Sequence, residues 1–158
     1  GLLSRCLADV LGPTTLLDAS PAMVEVASKA LTSEGLGDWS AAVADLSEEI
    51  PGGPYELALA QMFLHHVDDV PALLRSLRRA MTPGGVVVIA DLDHDAAKRY
   101  HATAVDFHGH HGFCRDELRG WLEQAGYHDI CFHDAGVVGK EVDGERQDFP
   151  MFLAVAKV

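Results

Sequence analysis

An aspartate set between a short apolar run and a capped helix is the feature that most restricts how this sequence can fold. Leu16 and Leu17 lead into Asp18, and Ser20-Pro21 follow at once. Serine is a favoured helix N-cap, and proline suits the first helical turn, where its missing N–H needs no partner. Met23, Val26, Ala27, Ala30 and Leu31 then recur at i, i+3, i+4, i+7 and i+8, which is one face of a helix. Thr14 to Leu31 therefore predicts a strand, an acid at its C-terminal tip, and a helix. In doubly wound α/β sheets such an acid stands where a ribose diol is held.

The alternation continues on both sides. Upstream, Leu3, Cys6, Leu7, Val10 and Leu11 share a helical face that Gly12-Pro13 closes. Downstream, Trp39 to Leu46 predicts a buried strand ending near Asp45. After the loop Pro51-Gly52-Gly53-Pro54, the alanine-rich run Tyr55 to Phe63 predicts another. Asp68 or Asp69 caps the next helix, with Pro71 in its first turn and Val70, Leu73, Leu74, Leu77 and Met81 as its apolar stripe. Arg75, Arg78 and Arg79 form its solvated face, near the end where the helix dipole favours cations.

Pro83-Gly84-Gly85 is expected to stop that helix and turn the chain. Val86 to Ala90, continuous and β-branched, predicts a central parallel strand that ends in Asp91 and Asp93. Residues 94 to 113 are polar and His-rich, with a helix expected around Ala96–Phe107. Leu118, Trp121, Leu122 and Ala125 mark a last helix, weakly capped by Cys114 and ended by Gly126. His128 to Val138 and Phe149 to Val158 predict two strands joined by a polar loop with Gly139 and Gly144.

This order predicts a single α/β domain over residues 1–158. Its sheet is doubly wound, Rossmann-like and mostly parallel, with helices on both faces and a C-terminal antiparallel hairpin. In such a sheet Asp18, Asp45 and Asp91 project toward one edge, where ligands bind. The plainer alternative for each acid is a helix cap or a solvent-facing loop.

A formal net charge of −12 argues against nucleic acid and against anionic membrane surfaces, whose binding is driven by Lys and Arg. No apolar run approaches transmembrane length, and no signal peptide is visible. Cys6, Cys114 and Cys131 are odd in number and form no CxxC, which fits a reducing cytoplasm. His94, His101, His108, His110 and His111 cluster in sequence, but the HxHH spacing matches neither a helical i, i+4 metal pair nor a zinc finger. They are read as pocket-shaping or surface residues, with no metal expected.

The segments LLDASPAMVEVASKAL, VADL, ELALAQMFLHHVDDVPALLRSLRRAMTPGGVVVIADLD and GFCRDELRGWLEQAGY, taken together, resemble class I S-adenosylmethionine-dependent methyltransferases of the small-molecule branch. The resemblance implies S-adenosyl-L-methionine as cofactor and a small-molecule acceptor. It matches Asp18 to the acid that grips the cofactor's ribose hydroxyls, and Ala19 and Met23 to residues against the adenine and ribose. Asp45 matches the acceptor for the adenine amino group, with Leu46 beside the ring. Gln61 and Met62 match the strand end that passes the methionine moiety. His65 and His66 match a loop flanking the methyl group, and His66, His65 or a member of the 108–111 cluster could serve as a general base.

One departure is plain. The family's first strand and its Asp-x-Gly-x-Gly-x-Gly loop have no counterpart here, and Gly1 matches the end of that loop. The expectation is a chain truncated at its N-terminus. Two other readings stay open on the residues alone. One is an NAD-dependent dehydrogenase, which also uses a strand-tip acid but calls for G-x-G-x-x-G. The other is a degenerate methyltransferase-like domain without activity, whose open strand edges would favour a homodimer.

Overall fold

The computed structural model describes residues 2–46, 48–102, 104 and 106–158. Contacts divide the chain into two compact units, Gly1–Pro51 and Gly52–Val158.

The first unit contains α1 (Leu2–Cys6), β1 (Thr15–Asp18), α2 (Pro21–Ser33) and β2 (Ser40–Val43). β1 and β2 pair in parallel from Thr15↔Ser40 to Asp18↔Val43. α2 starts where the sequence places it: Ser20 Oγ accepts the Met23 N–H at 3.4 Å, and proline fills the first turn. Two expectations are corrected. The N-terminal helix closes after Cys6, and the amides of Leu7, Ala8 and Val10 reach back three residues in successive turns. The apolar face of α2 is covered only at its C-terminal end. Leu31 is buried, while Met23 and Val26 are 53% and 59% exposed.

The second unit contains β3 (Tyr55–Gln61), the 3-10 turn Leu64–His66, α3 (Val70–Arg79), β4 (Met81–Leu92), α4 (Arg115–Gln124), β5 (His128–Val142) and β6 (Glu145–Lys157). Its sheet runs β3-β4-β6-β5, with β3 and β4 parallel and the other pairs antiparallel. Phe152 on β6, Val87 and Ile89 on β4, Val70 and Leu74 on α3, and Leu118 and Leu122 on α4 are all at most 2% exposed and form the core.

Asp69 caps α3 by accepting the Ala72 N–H at 2.8 Å. α4 ends in a Schellman turn: Gly126 has φ +90°, the Tyr127 N–H reaches the Leu122 carbonyl, and the Gly126 N–H reaches that of Glu123. The Tyr127 hydroxyl then donates to the Leu74 carbonyl at 3.1 Å, tying α4 to α3.

Parallel strand pairs joined by helices, followed by an antiparallel hairpin, make this the α/β fold that the sequence predicts. The strands lie in two sheets, β1-β2 and β3-β4-β6-β5. Three local expectations change. Pro83-Gly84-Gly85, expected to stop the helix and turn the chain, is instead a bulge inside β4: α3 already ends at Arg79, and Met81, expected on the helix stripe, starts the strand. The register jumps from Tyr55↔Met81 to Leu57↔Val86, and the Gly84 N–H pairs with the Val158 carbonyl. The loop expected between the last two strands shrinks to Asp143-Gly144, with φ +54° and +80°. This Asp-Gly pair supplies the two positive φ angles of a two-residue hairpin turn, so pairing runs through Gly139.

The third change concerns the helix expected around Ala96–Phe107, which is absent among the described residues. Asp95 competes with it: its carboxylate accepts the Ala97 and Tyr100 amides at 3.2 and 2.8 Å, and Lys98 takes φ +56°.

Candidate functional site

In the first unit, Asp18 ends β1 and is partly buried. Its Oδ1 accepts the Ser20 N–H at 2.8 Å, and its carbonyl accepts the Ala44 N–H at 3.1 Å. The carboxylate is thus held by the turn that starts α2, while Oδ2 makes no hydrogen bond among the described residues. Ala19 and Met23 lie exposed beside it in sequence, at the start of α2. Asp45, exposed, and Leu46, partly buried, follow the end of β2. A carboxylate anchored through one oxygen and open at the other fits a vicinal diol, and an exposed thioether fits the face of a flat ring. Gly1 lies outside the described residues. An open cavity of about 390 Å³ in this unit is lined by Leu31, Gly35, Trp39 and neighbours, and none of the predicted residues lines it.

In the second unit, Gln61 is exposed at the end of β3. Met62 follows with φ +48°, held there by its N–H on the Ala90 carbonyl at 2.8 Å. A non-glycine residue in this region is uncommon and clusters at functional sites. The turn Leu64–His66 comes next. Here the expectation for Asp91 is corrected: it does not project at an open edge but is 0% exposed. Its Oδ2 accepts the Leu64 N–H at 2.8 Å and the His65 N–H at 3.3 Å, and its Oδ1 stands 2.6 Å from His65 Nδ1. The donors at the start of the turn draw the carboxylate inward.

His65 is therefore buried, while His66 is exposed, with its ring centroid 4.1 Å from that of His65. The His-rich segment closes over this turn. The His110 N–H donates to the His65 carbonyl at 2.8 Å. His101 is buried with its ring 5.2 Å from His65, and Phe107 stacks on it at 3.6 Å and 6°. Burial, then repulsion by His65, His111, Lys140 and His66, lowers the His101 pKa to about 4. His66, exposed but partly desolvated by its neighbours, is lowered by that desolvation and then by His65, and His111 by desolvation and then by Lys98. The His101 imidazole is kept neutral near pH 7. His101 Nδ1 and His111 Nδ1 are buried without partners among the described residues. Among those residues no three His, Cys, Asp or Glu side chains converge as metal ligands.

Sequence reasoning missed the pairing of Asp91 with His65 and the burial of His101 against Phe107. The Asp91 signal was present as a strand-tip acid, but the sequence does not say which donors it meets. For His101 there was no periodic signal at all.

A family model described as methyltransferase domain matches residues 1–131. A ubiquinone biosynthesis O-methyltransferase of Xanthomonas euvesicatoria is 30% identical over 139 residues, covering 80% of this chain and 58% of that protein. The chain thus spans somewhat more than half the length of that relative. Among solved structures, phosphoethanolamine N-methyltransferase 2 of Haemonchus contortus, in complex with S-adenosyl-L-methionine, superposes with a TM-score of 0.77 at 17% identity, covering 98% of this chain and 45% of that one. The [4+2]-cyclase SpnF superposes with a TM-score of 0.74 at 14% identity, covering 98% and 70%. At these identities the structures establish the fold alone. No helix of the described residues is long and apolar enough to cross a membrane.

Proposed function

The chain belongs to the methyltransferase domain family, and from that premise we propose that residues 1–158 work as a single domain transferring a methyl group from S-adenosyl-L-methionine to a small-molecule acceptor. The observation that carries the reading is Asp18 at the tip of β1, anchored by Ser20 through one oxygen and open at the other. In this reading Oδ2 takes the ribose hydroxyls, and Ala19 and Met23 lie against ribose and adenine. Asp45 accepts from the adenine amino group beside Leu46. The resemblance assigns Gln61 and Met62 of the second unit to the methionine part, and Gly1, outside the described residues, to the end of the family's glycine loop.

When bound, S-adenosylmethionine would supply a methyl group activated by its sulfonium, with sulfur as the leaving group that keeps the carbon–sulfur electrons. The chain's own task is alignment, worth roughly 7–11 kcal/mol of barrier in favourable cases, plus proton removal where the acceptor carries one. His65 and His66 are the candidate bases. The names of the relatives favour an oxygen acceptor. The exposed free thiols of Cys6, Cys114 and Cys131 suit a reducing cytoplasm, where we place the protein.

Thermal shift separates this reading from the nicotinamide alternative. S-adenosylhomocysteine is expected to raise the melting temperature and NAD to leave it unchanged. A shift with NAD alone would overturn the assignment.

A further inference from the structure

Asp91 is fully buried, yet both of its oxygens accept backbone donors: Leu64 and His65 on Oδ2, at 2.8 and 3.3 Å, and Leu92 on Oδ1, at 2.8 Å. A carboxylate saturated in this way is an acceptor toward its fourth neighbour too, His65 Nδ1 at 2.6 Å, so that nitrogen carries the proton. In its neutral form the imidazole then has its lone pair on Nε2. Among the described residues His65 Nε2 makes no hydrogen bond.

We infer that Asp91 is a positioning residue: it fixes His65 in the Nδ1–H tautomer and leaves Nε2 to take the proton of an acceptor hydroxyl. This rests on the methyl-transfer reading. As the acceptor oxygen bonds the methyl carbon, its proton passes to Nε2. His65 becomes an imidazolium beside the Asp91 carboxylate, and the proton is then returned to water. The same carboxylate also pins the Leu64–His66 turn, but that duty needs only an acceptor oxygen, which an asparagine retains. Holding Nδ1–H requires Oδ1, which also accepts the Leu92 N–H; asparagine presents an N–H there, which reverses the tautomer and leaves the Leu92 amide unpaired, so the tautomer in the wild type is the primary readout.

The test uses the full-length protein labelled with 15N-histidine, without cofactor or acceptor, and long-range 1H–15N correlation spectra, with H65Q to assign the His65 signals. The expected result is a bare Nε2 and protonated Nδ1 on His65 in the wild type, reversed in D91N. With S-adenosylmethionine and catechol as the probe acceptor, kcat of D91N is expected to fall by about 10²–10⁴-fold, while KM for catechol changes little. An Nε2–H tautomer in the wild type would overturn the proposal whether or not D91N folds. So would a D91N enzyme with wild-type kcat. Failure of the wild type to bind S-adenosylhomocysteine would instead overturn the methyltransferase reading and the base role with it, while the tautomer is read independently of both.

Discussion

Gly109 lies so close to His65 that a Cβ at position 109 would collide with the His65 carbonyl oxygen and with the Phe107 ring. The glycine lets the His-rich segment close on the Leu64–His66 turn, and the neighbouring His110 N–H fastens it there. G109A is expected to cost ~2–3 kcal/mol and to loosen the segment from the turn. Gly144 is a control of another kind, because its φ of +80° strains a side chain but open space surrounds it. G144A is expected to cost only ~1–2 kcal/mol. Urea denaturation of both variants checks the order. G144A as the costlier change would contradict the packing at 109.

His101 predicts a pH dependence of stability. Its pKa falls from the ordinary 6.5 to about 4 in the folded chain, so between those values the unfolded chain binds a proton that the folded chain refuses. Stability should therefore fall as pH drops from 6.5 toward 4. His66 and His111, also lowered, act in the same direction. H101F, which keeps a ring stacked on Phe107, should flatten the melting-temperature profile over this window. An unchanged slope would count against a buried neutral His101.

Phe152 is 0% exposed on β6, the strand that pairs with both β4 and β5. F152A should cost ~3–5 kcal/mol by chemical denaturation. Y127F removes only the hydroxyl bonded to the Leu74 carbonyl, and should cost ~0.5–1.5 kcal/mol. A similar loss for both variants would mean that the core of the second unit is not centred on β6.

Much of this was legible in the residues, because local chemistry decides it. Ser20-Pro21 announces α2, Asp69 caps α3, and the β-branched run Val86–Ile89 lies within β4. The reading failed where competing local bonds or distant partners decide. Asp95 binds nearby amides and forestalls a helix that composition allows. Asp143-Gly144 carried a hairpin-turn signal, but Gly139 was placed in the same loop although it pairs with Asp148 within the hairpin. Asp91 looked like its fellow strand-tip acids, yet its place was settled by the amides of Leu64 and His65, 27 and 26 residues away.

The central claim, that Asp18 holds the ribose of an S-adenosyl cofactor, is tested most directly by calorimetry with S-adenosylhomocysteine on the full-length protein and its D18A variant. Among the described residues Oδ1 bonds only the Ser20 amide, so the substitution should leave the fold in place. The account predicts one-to-one binding by the wild type, weakened at least ~10-fold, or ~1.4 kcal/mol, in D18A. Absence of binding by the wild type, or equal affinity in a folded D18A, would contradict it.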